Sequence, residues 1–309
     1  MSTERDRMRL DAASVRRGFE RAAASFDSAA ALHREVAARM AERLGMVRIK
    51  PTAVLDAGCG TGDALGELQA RYPDARLVGL DLAYNMASTA RDRAAARRAD
   101  ERLFLGRLAG SGRSAAAAPP WFICGDIVSV PLRSASIDLL WSNLVLQWVS
   151  EPMLAFAEFH RVLAIGGLLC FTTLGPDTLR ELRSAFAAAD TAAHVHRFID
   201  MHDLGDMLLE TGFADPVMDM ERLTLTYANS DSIFSELRAL GASNSVASRR
   251  RALTGARRWA RMLAALEMFR SDGRLPASFE VVYGHAWKPE PRLVADGRTI
   301  VRFDRSARR

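Results

Sequence analysis

The stretch Val54-Leu55-Asp56-Ala57-Gly58-Cys59-Gly60-Thr61-Gly62 decides the fold. An apolar run ending in an acid reads as a buried strand, three glycines at alternate positions read as a tight turn, and the chain from Gly62 onward reads as a helix. Glycine accepts positive φ and lets a ligand approach the backbone, and the N–H groups at the start of the helix attract an anionic group. The turn is therefore a cradle for a nucleotide-like ligand. A second apolar run, Arg76-Leu77-Val78-Gly79-Leu80, ends at Asp81. That is roughly 20 residues past the turn, where an acid can take the hydroxyls of a ribose.

Working outward, β and α patterns alternate. Strands are expected at Ala53–Ala57, at 76–81, from Trp121, at Ile137–Ser142 and at Leu168–Thr173. Helices are expected at Gly62–Arg71, from Met86 to Arg98, at Pro152–Leu163 and from Pro176. Such a βαβ rhythm implies an α/β fold with a mostly parallel sheet covered on both faces. Apolar groups at helical spacing from Val15 to Leu44 place two helices ahead of the sheet. After a helix near His202–Thr211, two alternating strands, Pro216–Tyr227 and Phe279–Trp287, enclose helices at Ser232–Leu240 and Ala256–Arg270. The domain is expected to span 14–288. Disordered ends are expected over 1–13 and 289–309, and a mobile low-complexity insertion over 106–120.

With 309 residues, 49% of them hydrophobic and 26% charged, the composition is that of an ordinary globular protein. Met1–Asp11 holds no apolar run, and no segment reaches the ~20 apolar residues of a membrane span, so a cytoplasmic protein is expected. Cys59, Cys124 and Cys170 lack metal or C-x-x-C spacing and read as buried thiols. The net charge of +5 includes clusters at Arg249-Arg250-Arg251 and Arg257-Arg258…Arg261. These read either as a solvated helix face or as a patch for an acidic partner. Nucleic acid is not expected, because aromatics are not interleaved with the arginines.

The G-x-G-x-G spacing, with Asp56 two residues before the first glycine, resembles the signature of class I S-adenosyl-L-methionine (SAM) dependent methyltransferases. The third element of that signature, an acid after the third strand, stands in Trp121-Phe122-Ile123-Cys124-Gly125-Asp126-Ile127. The resemblance implies a Rossmann-like sheet with an antiparallel final strand, and lid helices over 14–45 and about 228–275. It implies cofactor contacts at Asp56, Gly58, Gly60, Gly62, Asp81, Leu82, Asp126, Ile127 and Asn143. Asp81 would take the ribose hydroxyls, its other reading being a cap on the next helix. Asp126 would meet the adenine amino group, with Leu82 and Ile127 against the ring. Asp56 would orient the glycine loop and face the cationic end of the ligand.

Further strings go beyond the fold: Arg17-Gly18-Phe19-x-Arg21-Ala22-Ala23, Trp141-Ser142-Asn143-Leu144-x-x-Gln147-Trp148, Phe171-Thr172-Thr173, His196-Arg197-Phe198 and Leu240-Gly241-Ala242. Together they resemble the malonyl-acyl-carrier-protein O-methyltransferases of biotin synthesis, from about Ser14 to Trp287. The resemblance implies methylation of the free carboxyl of a malonyl thioester on acyl-carrier protein or coenzyme A. An acidic carrier would dock on the arginines, and Arg197 is the candidate clamp for the substrate carboxylate, with Arg180 and Arg183 as further candidates. Members of that family often carry tyrosine where Phe26 stands and glutamine where His33 stands, which bears on substrate placement. The strings are partly shared with mitochondrial complex I assembly proteins, a second reading in which a protein client is modified. A quinone or aromatic hydroxyl acceptor is a third, for which His194, His196 and His202 are the available bases.

Overall fold

The computed structural model describes residues 9–108, 118–250, 252 and 254–291, with side chains from 101 to 108 excepted. Three helices come first: α1 (Ala12–Ala22), α2 (Phe26–Ala29) and α3 (Ala31–Gly45). Asp11 caps α1 by accepting the Ser14 N–H at 3.2 Å. Leu10, ahead of Ser14, bridges Val246 and is buried.

The sheet core follows as β1 (Ala53–Ala57), α4 (Asp63–Arg71), β2 (Arg76–Asp81), α5 (Tyr84–Leu108), β3 (Trp121–Cys124), β4 (Ile137–Asn143), α6 (Pro152–Val162) and β5 (Leu163–Leu174). The chain then continues through α7 (Arg180–Ala187), α8 (Met201–Glu210), β6 (Ala214–Tyr227), α9 (Ser230–Ala239), α10 (Ala256–Glu267) and β7 (Leu275–Trp287). Strand order is β3-β2-β1-β4-β5-β7-β6. The first five strands are parallel, and β7 enters antiparallel between β5 and β6. Every residue of β1 is buried, as expected for a central strand covered on both faces. One apolar layer joins Leu55, Leu140, Phe156, Phe159 and Phe171. The opposite layer joins Val36, Leu44, Leu77, Leu139 and Trp141, so α3 covers that face.

Two local expectations differ from the structure. The helix expected from Pro176 starts at Arg180, because 176–179 form a turn ending at Leu179 with φ +53°. Cys59 and Cys170 are buried but Cys124 is exposed, at the end of β3 on the edge of the sheet. The insertion expected over 106–120 falls largely outside the described residues, as does most of the 289–309 tail. Among the described residues no helix is long and apolar enough to cross a membrane.

Candidate active site

From β1 the chain proceeds outward through β2 and β3, then returns to place β4 on the other side of β1. At such a reversal the loops after the two neighbouring strands diverge and leave a crevice at their carboxyl ends. Here the crevice lies between the glycine turn after β1 and Asn143-Leu144-Val145 at the end of β4.

The glycines are required by geometry. Gly58 adopts φ +87°, and a Cβ there would overlap the Val145 side chain across the crevice. Gly62 adopts φ +79°, and its Cβ would come within 2.8 Å of Ala90 on α5. Asp81 fixes the loop from β2, its Oδ2 accepting the Gly60 N–H at 2.9 Å and its Oδ1 the Ala83 N–H at 2.8 Å. It thus braces the turn and also caps the entry to α5. Burial pushes its pKa up to about 6 against the lowering effect of those N–H donors.

Asp56 is only 2% exposed, and its Oδ2 has no hydrogen-bond partner among the described residues. Burial, reinforced by the charge of Asp81, pushes its pKa up to about 8. A buried carboxyl without a counter-charge is costly to ionise, and a cationic ligand is what would relieve it.

The N-terminal helices roof this crevice. Glu20 on α1 accepts the Tyr84 and Asn85 N–H groups at 2.8 and 2.9 Å, sealing the amino end of α5. Asp27 on α2 accepts the Thr61 hydroxyl at 2.6 Å and pairs with Arg93. Asn143 donates from Nδ2 to the His33 carbonyl at 3.0 Å, tying α3 to the end of β4. The cavity here, of about 620 Å³, is lined by Phe26, Gly58, Gly60, Asp81, Leu82, Asp126, Ile127 and Asn143 among others. A small chamber of about 70 Å³ beside Asp56 and the glycine turn adjoins it.

A third cavity, of about 480 Å³, lies beneath α7, α9 and α10. Its walls are mainly apolar, including Leu179, Leu182, Phe186, Phe234, Leu237 and Trp259. Phe19, His33, Leu144 and Trp148 line both it and the cavity of about 620 Å³, so the two share a wall. His196 also lines it, and the Ser245 N–H donates to its Nε2 at 2.9 Å. That donation keeps the neutral ring's proton on Nδ1.

Comparison with known proteins gives this architecture its context. Residues 55–171 match the methyltransferase domain family. The chain is 51% identical over 95% of its length to a malonyl-[acyl-carrier protein] O-methyltransferase of Laribacter hongkongensis, covering 96% of that protein. It is 45% identical to the protein of the same name from Gallionella capsiferriformans, covering 95% of this chain and 96% of that one. The chain belongs to the malonyl-[acyl-carrier protein] O-methyltransferase family. Among solved structures, the YcgJ protein of Bacillus subtilis overlays with a TM-score of 0.52 at 17% identity, over 82% of this chain and 98% of that one, a likeness of fold.

The protein is thus a SAM-dependent methyltransferase, and the complex I assembly reading is not favoured. Its cavity fits the cofactor on three counts. The unpartnered Asp56 oxygen suits a cationic ligand, the Gly58 cradle admits close approach, and the Asp81 carboxylate stands at the wall. The cofactor residues expected from sequence gather round this crevice, all but Asp56 and Gly62 on the wall of the cavity of about 620 Å³. Asp56 lines the small chamber, and Gly62 packs behind it against Ala90.

Arg197 is not brought to that place. It is exposed and lines none of these cavities, although its neighbours His196 and Phe198 line the lid cavity. Arg183 is turned to the backbone, donating to the Pro176 and Thr178 carbonyls at 2.7 and 3.0 Å. Arg180 stands beside Glu181 at 3.2 Å. Glu20, Thr61 and Trp148 belong to the site without a role that any motif assigns; Thr61 lies in the glycine stretch and Trp148 in the string that ends Gln147-Trp148.

Proposed function

We propose that the enzyme methylates the free carboxylate of a malonyl thioester borne on an acyl-carrier protein, the esterification used in biotin synthesis. The observation that carries this reading is the wall shared by the cofactor cavity and a mainly apolar chamber beneath α7, α9 and α10, in a chain so similar to relatives of that name.

When bound, SAM supplies a methyl group to a carboxylate oxygen, its sulfonium becoming a neutral thioether as the carbon–sulfur bond breaks. A carboxylate with a pKa near 4 is already ionised at neutral pH, so the chain need supply no general base. Its task is to hold the acceptor in line and exclude water, which otherwise solvates and weakens the nucleophile. The apolar walls beneath the lid do this. Asp81 would take the ribose hydroxyls while its other contacts hold the turn, and Asp126 would meet the adenine, with Leu82 and Ile127 against the ring. Asp56, through the small chamber, would face the cationic methionine end. Phe26 closes the roof over Gly60.

The carrier would approach the arginine-bearing lid. Arg249 and Arg250 already face Asp11 and Asp190 at 3.6 and 4.0 Å. Arg257, Arg258 and Arg261 share α10 with Trp259 of the lid cavity, and Arg238 lines that cavity itself. These four form the basic approach for an acidic partner, which makes association salt-sensitive. Incubation with methyl-labelled cofactor and malonyl-carrier protein should give a labelled ester, lost on saponification. Label no greater than in a control without enzyme would refute the acceptor.

A further inference from the structure

Three spaces meet in this site, and one side chain borders all of them. The large cavity holds Asp81 and Asp126, the ends expected to take ribose and adenine. The small chamber holds Asp56 and the glycine turn, where the methionine end would lie. The lid cavity is the remaining space, open to the acceptor. A sulfur that joins the first two parts of the ligand and faces the third must sit near their common border. His33 is the residue shared by the linings of all three.

Its setting is specific. The backbone of His33 is pinned by the Asn143 side chain at 3.0 Å, so its position is locked to the end of β4. Its ring packs edge-on against Phe26 with centroids 5.0 Å apart. Nδ1 is buried and has no hydrogen-bond partner among the described residues. That nitrogen is out of a ligand's reach, so Nε2 is the ring nitrogen left to meet a ligand in the cavities that His33 lines.

We propose that His33 is the residue that seats the acceptor carboxylate at the point of methyl transfer, donating a ring N–H to the oxygen that is not methylated. This assignment rests on the carboxylate acceptor proposed above, and it takes the place that the exposed Arg197 does not reach.

The chemistry favours a neutral donor there. An imidazolium would repel the sulfonium and hold the carboxylate in a tight ion pair, which lowers its nucleophilicity. Burial, aided by the charge of Arg34, pushes the pKa of His33 down to about 4, so the ring is neutral at physiological pH. A neutral N–H orients one carboxylate oxygen and leaves the other free to attack. No proton is transferred and none is released, because the product is an ester and a thioether.

The test compares wild type, His33→Leu and His33→Gln with malonyl-carrier protein as acceptor, and measures SAM binding separately by calorimetry. His33→Leu should raise KM for the malonyl acceptor by about tenfold or more, the loss expected for a hydrogen bond to a charged group. Cofactor affinity should stay within about twofold, and His33→Gln, which keeps an N–H donor, should recover most of the loss. Acceptor kcat/KM for His33→Leu within about twofold of wild type would overturn the proposal. Equal losses in both variants, together with weaker cofactor binding, would also overturn it, marking His33 as a packing residue. An inactive wild type would instead refute the acceptor assignment on which the test depends.

Discussion

Asp81 accepts the Gly60 N–H at 2.9 Å across 21 residues of sequence, joining the end of β2 to the loop that follows β1. The same carboxylate faces the cofactor cavity, so it acts both on the loop and on the ligand. The Asp81→Ala variant should weaken SAM binding at least about tenfold, the scale of a lost charge-assisted hydrogen bond. Hydrogen exchange at the Gly60 amide should quicken even without cofactor. Unchanged affinity by calorimetry would remove Asp81 from the ligand site. Unchanged exchange would remove it from the loop.

Gly58 and Gly166 make a matched pair for testing the crevice. Both have positive φ, +87° and +75°, but a Cβ on Gly58 meets Val145 whereas one on Gly166 meets nothing within 4 Å. Alanine at 166 should cost about 1–2 kcal/mol from backbone strain alone. Alanine at 58 adds an overlap of a kind that typically costs about 1–3 kcal/mol more. Urea denaturation of the two variants would measure the difference. Cofactor binding should suffer only at 58.

The sheet core was legible because its signals are local. The β1 run, its glycine turn and the acids at the ends of β1 and β2 lie in short segments whose strand ends define the crevice. Residues whose position depends on remote packing were not legible. Arg197 sits inside a family-like string, yet the string places His196 and Phe198 on the cavity and leaves Arg197 outside. Cys124 resembles any strand cysteine until the sheet order makes β3 an edge. The place of His33 at the meeting of three cavities follows from the Asn143 contact, made across 110 residues, which no local pattern reveals.

Glu20 links roof to floor. Its two oxygens take two N–H groups at the start of α5, where unpaired donors and the helix dipole favour a carboxylate. The Glu20→Ala substitution should cost about 1–2 kcal/mol, as lost N-terminal caps do. Because α1 covers the large cavity, the cofactor dissociation rate should rise as well. Stopped-flow displacement by the demethylated product would report it. A rate equal to wild type would show that α1 stays closed without this contact.

Asp56 ties the site to pH. Its folded pKa, raised to about 8, lies above the unfolded value, so its contribution to stability is full at low pH and declines as pH rises through about 8. Asp81, raised to about 6, has the same sign but completes its decline earlier. His33 and His196, pushed down to about 4, have the opposite sign: their contribution is full above the ordinary histidine pKa and is lost as pH falls toward 4. Of these four groups, only Asp56 therefore changes strongly between about 6.5 and 8. The melting temperature of the cofactor-free enzyme should fall across that interval, and Asp56→Asn should flatten the slope. A cationic ligand facing Asp56 favours its ionised form, so SAM binding near pH 7 should release up to about one proton. Calorimetry in buffers of different ionisation enthalpy would count that proton. Release that persists undiminished in Asp56→Asn would place the titrating group elsewhere.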